Sequence, residues 1–380
     1  MNPMVNPCSG DDSRTALCEF IDKTAADAVS KNMVSALAIR ADIRGEKIHE
    51  GFWGDCSDSA IVPLFDIASL TKIFTATAIL RLVTLKKVSL ENALCEIECI
   101  CRVTEGKKNL TGTFRNITIR DLLNHSSGMR YWYPFYASGR ADFHEILEDI
   151  LGKYPLEKKT IYSDINFMIL GKIVECVHGA PLDAAMRDLV FGPLGLKNTS
   201  YAPVPEDRCV KTEFGNRIEK KMVSDLELSF KGWRDDSKAI RGQPNDGNCH
   251  YYFNDRAGHA GIFSTPADLC ALGRLYVDIP EIESENAAAG FLDRQLVLEA
   301  RLDHGNGRGL GFQMGDLYPS GGFGHTGFTG TYLYLNADRG IVLAVLANRL
   351  HTDELQNIND LRKSLAGGIV ATEDSIDAAL

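Results

Sequence analysis

Apolar positions along the chain follow two periods, and the switches between them mark out the elements. From Ser13 to Ser30, Leu17, Phe20, Ile21, Ala25 and Ala28 recur at helical spacing and predict an amphipathic helix. Val34–Ile43 and Lys47–Trp53 read as strands, with Arg44-Gly45-Glu46 turning one into the other as a hairpin. Ile73–Leu85 is nearly all apolar or small and holds no Gly or Pro, which predicts a helix buried on most faces. Shorter helices are expected at Ile117–Leu123, Phe167–Val177, Ala267–Tyr276 and Thr352–Leu365. Between Ser224 and His250 the chain is polar and irregular, which reads as a long loop. In the last third, Gly309–Met314, Thr331–Leu335 and Ile341–Ala347 predict an antiparallel sheet.

Composition narrows the class of protein. The 380 residues are 44% hydrophobic and 24% charged, ordinary for a soluble globular chain able to bury a large core. The net charge of −10, with no Lys/Arg run longer than a pair, makes nucleic acid and anionic membrane poor partners. The first residues, MNPMVNPCSGDDSRT, show no apolar stretch of the signal-peptide kind, and Cys8 lacks the apolar run that a lipid anchor would need. A cytoplasmic location is therefore expected, and the ten scattered cysteines read as reduced thiols. Cys95, Cys99 and Cys101 invite a metal reading, but no fourth ligand stands nearby, so ordinary free cysteines are expected.

The chemistry is concentrated at Phe65–Arg81. Ser69-Leu70-Thr71-Lys72 holds a Ser-x-x-Lys spacing that puts both side chains on one face of a helix. A serine in the first turn lies beside unpaired N–H groups and the positive end of the dipole, which suits a nucleophile whose product is an oxyanion. Its proton needs a recipient, and a buried lysine has a lowered pKa. The bland alternative is a Ser cap followed by a surface Lys. Farther on, Tyr162 precedes an apolar helix with Asp164 as its N-cap. The aromatic loop Tyr131–Tyr136 suits either a pocket wall or a packed core, and His125 reads as a structural hydrogen-bonder.

Ser69-x-x-Lys72, Tyr162-Ser163-Asp164 and His325-Thr326-Gly327 stand in an order that resembles the penicillin-recognising serine hydrolases. That family includes class C β-lactamases, D-alanyl carboxypeptidases, and related esterases and D-aminopeptidases. Leu122–Gly128, Phe191–Gly195, Gly258–Thr265 and Gly324–Thr331 also look like family landmarks, so the likeness runs from about Val34 to Leu350. The resemblance implies an α+β fold: an antiparallel sheet flanked by helices, with an inserted all-helical region. Residues 10–85 and 255–370 would form the α/β lobe, and 86–254 a mostly helical lobe with long loops, with the site at their junction. It implies Ser69 as nucleophile, Lys72 as its partner and Tyr162 as proton shuttle, with the backbone N–H groups of Ser69 and Phe328 as oxyanion hole. Asp164, His325, Thr326 and Gly327 would contact substrate.

Two positions depart from the family pattern. His325 replaces the lysine of class C β-lactamases, and a largely neutral imidazole gives up part of that residue's hold on a substrate carboxylate. Asp164 stands where penicillin-binding members usually carry Asn; an ionised carboxylate near Lys72 would raise the lysine pKa and keep it charged. The expected activity is a serine hydrolase acting through an acyl-enzyme on esters or small amides, with a small molecule or short peptide as substrate and neither cofactor nor metal. The rival is a non-hydrolysing binding, sensor or scaffold protein on the same fold. Oligomeric state is left open.

Overall fold

The computed structural model describes residues 12–57, 61–104, 112–278, 290–352 and 354–377; Cys8 and the rest of the N-terminal start lie outside them. Helix α1 (Asp12–Ser30) leads into strands β1 (Ala36–Ile43) and β2 (Glu46–Gly54). The hairpin between them turns through Arg44 and Gly45, both at positive φ. Strand β3 (Phe65–Asp66) feeds a 3-10 turn, Ala68–Leu70, and then helix α2 (Thr71–Thr84). The middle of the chain is helical: α3 (Glu98–Thr104), α4 (Ile119–Leu123), α5 (Phe143–Lys153), α6 (Asp164–His178) and α7 (Leu182–Met186). Then come β4 (Ser200–Tyr201), α8 (Arg217–Asp225), β5 (Ile262–Ser264), α9 (Pro266–Val277) and α10 (Arg294–Ala300). Strands β6 (Phe323–Thr326), β7 (Tyr332–Asn336) and β8 (Ile341–Asn348), and helix α11 (Asn359–Asp377), close the chain.

The main sheet is antiparallel in the order β2-β1-β8-β7-β6. Its centre joins the two ends of the chain, since β1 pairs with β8 from Ala36↔Asn348 to Ile43↔Ile341. Alternate residues of β1 serve opposite faces. Leu37, Ile39 and Ala41 pack with Leu17, Ile21, Leu365 and Ile369 of α1 and α11. Ala36 and Ala38 face Ile73, Leu269, Leu272 and Tyr276 of α2 and α9. With both faces covered, β8 is apolar at every position up to Asn348, as its sequence suggests. A second, small sheet in the order β3-β5-β4 anchors the entry to α2. The fold is α+β, as expected from the resemblance.

Local chemistry sets several helix starts. Thr118 and Asp121 form a reciprocal box at α4: Asp121 N–H donates to Thr118 Oγ1 at 3.1 Å, and Thr118 N–H to Asp121 Oδ2 at 2.9 Å. Thr265 caps α9 with Pro266 at its first position.

Three expectations need correction. Gly309–Met314 is a tight hairpin rather than a strand, because Gly311 takes φ +87° and Gly309 N–H closes on Phe312 O at 3.1 Å. The closing helix starts at Asn359, not Thr352; the intervening residues are held by Arg349, whose Nη1 donates to Gln356 O at 3.0 Å. Cys99 is bonded to Cys176, 77 residues away, tying α3 to α6, so neither the free-thiol nor the metal reading applies to it. That bond runs against the reduced-cytosol expectation, since disulfides persist in oxidising compartments. No single described helix is long and apolar enough to cross a membrane.

Helix α6 approaches the segment before β5 closely. A Cβ on Gly171 would lie 2.9 Å from the backbone nitrogen of Gly258, while the Gly258 carbonyl accepts from Thr75 Oγ1 of α2 at 2.7 Å. Gly171→Ala should therefore cost about 1–3 kcal/mol by overpacking, read as a lower urea midpoint. A wild-type midpoint would show that the segment can move aside freely.

Candidate active site

The turn that carries Ser69 is held from three sides. Ala68 takes φ +47°, the left-handed region that a residue with a Cβ rarely adopts. The Asp66 carboxylate fixes it, Oδ1 accepting from Ala68 N–H at 2.8 Å and Oδ2 from Asn245 N–H at 2.7 Å. Burial raises the Asp66 carboxyl to about 6, and the two backbone donors pull the other way. From the far side, Thr329 Oγ1 donates to Asp66 O at 2.9 Å and Thr331 Oγ1 to Ile67 O at 3.0 Å. Ser69 thus sits in the 3-10 turn just before α2, slightly ahead of the expected first helical turn.

Lys72 is fully buried, which rules out the surface-lysine alternative. Three oxygens lie around its Nζ: Ser69 Oγ at 2.9 Å and His259 O at 3.3 Å accept hydrogen bonds, and Asp164 Oδ1 at 2.8 Å forms an ion pair. Burial alone would lower the lysine pKa, but Asp164, followed by Tyr162, outweighs burial and leaves it raised. Asp164 therefore does not cap α6. Ser163 occupies the N-cap position, and the Asp164 carboxylate turns inward to the lysine.

Tyr162 stands beside Lys72 and Ser69, with Lys72 Nζ 5.0 Å from its ring centroid, and both act on its phenol. Burial raises its phenol above the ordinary tyrosine range; Lys72 opposes this and Asp164 adds to it. The resting site thus pairs a charged Lys72 with a neutral Tyr162. Two imidazoles flank the phenol ring, His125 at 4.8 Å and His325 at 5.7 Å between centroids. His125 Nδ1 accepts from Ser163 N–H at 3.0 Å, the structural role expected of it. Its pKa lies well below the usual range, through burial and then the nearby Arg308 and Lys72 charges. His325 Nδ1–H donates to Thr326 O at 2.7 Å, which fixes the tautomer and leaves a buried Nε2 without a partner. Burial, followed by Lys72, holds it neutral.

These groups adjoin a cavity of about 300 Å³. Ser69, Tyr162, Asp164, Thr326, Gly327 and Phe328 line it, as the resemblance implies. The backbone N–H of Phe328 has no acceptor among the described residues. His325, expected on the substrate side, lies buried behind Tyr162 and does not line the cavity. The aromatic loop divides its members: Trp132 is on the cavity wall and Phe135 is in the core.

The rest of the wall was not foreseen. Glu219 and Met222 come from α8, Asn245 and Asp246 from the long polar loop, and Arg349 and Arg362 from the C-terminal region. Burial holds the Glu219 carboxyl well above the usual carboxylate range, with Asp246 adding to the effect; it accepts from Gly247 N–H at 3.0 Å. Burial would raise Asp246 too, but His259, 2.9 Å away, reverses this and leaves it lowered. Arg362 Nη2 donates to Gly327 O at 3.2 Å and Thr331 O at 3.1 Å, steadying the segment that carries Phe328. No local pattern marks these residues, since all but Met222 are polar side chains in polar surroundings.

A serine, a buried lysine and a tyrosine thus meet at a cavity beside a sheet edge. The family model described as Beta-lactamase matches residues 63–367, and the chain belongs to that family. It is 28% identical over 318 residues to N-acetylmuramyl-L-alanine amidase of Bacillus subtilis (strain 168), covering 76% of this chain and 68% of the relative. It is 28% identical over 317 residues to a putative D-alanyl-D-alanine carboxypeptidase of Escherichia coli (strain K12), covering 76% and 70%. The D-amino acid amidase from Ochrobactrum anthropi SV3, complexed with L-phenylalanine amide, has a TM-score of 0.66 at 18% identity, over 94% of this chain and 99% of that one. At that identity the likeness shows the fold. The protein is a hydrolase of the β-lactamase fold.

With Lys72 and Tyr162 both raised, the base form of the site is scarce at neutral pH. Acylation by p-nitrophenyl butyrate should climb about tenfold per pH unit through the neutral range. Asp164→Asn removes a group that raises both, so the whole profile should move to lower pH. A profile that overlays the wild type would show that Asp164 does not set the protonation of Lys72.

Proposed function

We propose that this protein is a serine hydrolase that forms an acyl-enzyme at Ser69, acting on small amides or esters of short, peptide-like molecules. The observation that carries the reading is the Lys72 ammonium, which donates to Ser69 Oγ at 2.9 Å while Asp164 pins its charge. A lysine that donates to the serine oxygen is not free to take the serine proton. That task falls to Tyr162, which lines the same cavity beside Ser69. Tyr162 loses its proton to solvent to become the base. Ser69 Oγ then attacks the carbonyl carbon as its proton passes to Tyr162. The oxyanion rests on the N–H groups of Ser69 and Phe328. Tyr162 returns the proton to the departing nitrogen or oxygen, leaving the acyl ester, and water reverses the sequence to release the acid.

The amide preference draws on the relatives, which are named as an amidase and a carboxypeptidase. The walls agree with a peptide-like substrate, since Asp246 offers a negative charge and Arg349 and Arg362 offer positive ones to the same cavity. Asp164 cannot donate to a substrate carbonyl as Asn would, so orientation falls to the edge of the sheet at Thr326 and Gly327. The other reading, a non-hydrolysing binding, sensor or scaffold protein, draws on the scarcity of the base form at neutral pH.

Ser69→Ala should abolish covalent labelling by a fluorophosphonate and lower p-nitrophenyl butyrate turnover by about 10³-fold or more, with the fold intact. Wild-type turnover in that variant would overturn the assignment of the nucleophile. Labelling of the wild type without turnover would favour the binder.

A further inference from the structure

Family members of class C type place a lysine at the position of His325, and here that position is neutral and buried. A second cation stands near the same tyrosine from another element. Arg308 lies at the base of the hairpin that replaces the expected strand, with its guanidinium carbon 5.0 Å from the centroid of the Tyr162 ring. Lys72 Nζ is also 5.0 Å from that centroid. The hairpin is tied down at this residue: Arg308 N–H donates to Asp303 Oδ1 at 3.1 Å, and Arg308 O accepts from His304 N–H at 2.7 Å.

The side chain is less well provided for. Arg308 Nη1 is buried and has no hydrogen-bond partner, and among the described residues no carboxylate comes within ion-pair distance of the guanidinium. Half-burying an arginine with one nitrogen out of reach of both water and an anion is costly. An anion that appears only during the reaction would supply the missing partner.

The charges facing the Tyr162 phenol come from every element packed around it. Lys72 of α2 and Arg308 of the hairpin are cations, and Asp164 of α6 is an anion. His125 and His325 are neutral, and Tyr318, nearby, is a neutral phenol raised by burial. With Tyr162 protonated the cluster carries one net positive charge. With Tyr162 ionised it is neutral.

We propose that Arg308 is a positioning residue that acts through Tyr162, its guanidinium stabilising the phenolate form from a different element than the family's lysine would. The proposal rests on the reading of Tyr162 as the proton carrier. Burial lowers the arginine, and Tyr162 and then Tyr318 raise it. The cation is absent from the cavity wall, so its effect falls on the base and not on substrate binding.

The test uses the full chain with Arg308→Gln and Arg308→Lys. Tyrosinate formation is followed by ultraviolet difference titration without substrate, with Tyr162→Phe as the subtraction that isolates Tyr162. Acylation by p-nitrophenyl butyrate, a neutral ester, is followed over the same pH range. In Arg308→Gln the Tyr162 midpoint should rise by about one pH unit. Acylation at pH 7 should fall about tenfold with KM unchanged. Arg308→Lys, which keeps the charge on a shorter reach, should shift less in the same direction and remains informative if the Gln variant fails to fold. A Tyr162 midpoint equal to the wild type's in both variants would overturn the proposal, even if their unfolding midpoints fall. A midpoint that rises while the acylation profile stays put would uphold the stabilisation by Arg308 and overturn the role of Tyr162 in the reaction.

Discussion

An ammonium at the centre of the molecule, out of reach of water, is the constraint that the rest of the structure answers. Leaving Lys72 uncompensated would be prohibitive, and the oxygens around it come from three places: Ser69 one turn back, Asp164 at the head of α6, and the His259 carbonyl just before β5. Helix α6 must therefore lie beside α2, and the Gly258–His259 segment must approach both. Glycines at 171 and 258 allow that approach, since neither position leaves room for a Cβ. The site and the core are thus one packing problem.

A second knot lies at Asp66. Its carboxylate spans the strained Ala68 turn and the distant Asn245 amide, so the geometry at Ser69 depends on a loop far along the chain. The same loop delivers Asp246, which pairs with the His259 side chain while that residue's carbonyl holds Lys72. The polar stretch that reads as an excursion is in this way part of the wall and part of the scaffold. Its polarity reflects its hydrogen-bonding duties, since Arg234 donates to Pro244 O within it, to Asn216 before it and to Tyr251 just after it.

Electrostatically, the site keeps its protons at rest. Burial favours neutral groups throughout, which is why both imidazoles beside Tyr162 are neutral and Glu219 holds its proton. Lys72 escapes because a carboxylate meets it directly. Asp at position 164 is therefore an organising feature: it turns a lysine that burial would neutralise into a fixed cation.

What the sequence by itself determined follows from short-range periodicity. The α1 and α2 helices, the β1–β2 hairpin, and the strands β7 and β8 were legible because apolar spacing is a local property. The Ser69–Lys72 pair was legible because three residues along a helix put both side chains on one face. Tyr162 and His325 were legible only through the order of motifs, since nothing local distinguishes them from packed or surface residues. Tertiary structure alone decided that Asp164 faces Lys72 instead of capping its helix, that His325 retreats behind Tyr162, and that Cys99 meets Cys176. It also brought Glu219 and Asp246 to the cavity wall and Arg308 beside Tyr162. These outcomes depend on which distant segments become neighbours. That is settled by satisfying a buried charge and closing a core, and neither is written in the spacing of any one stretch.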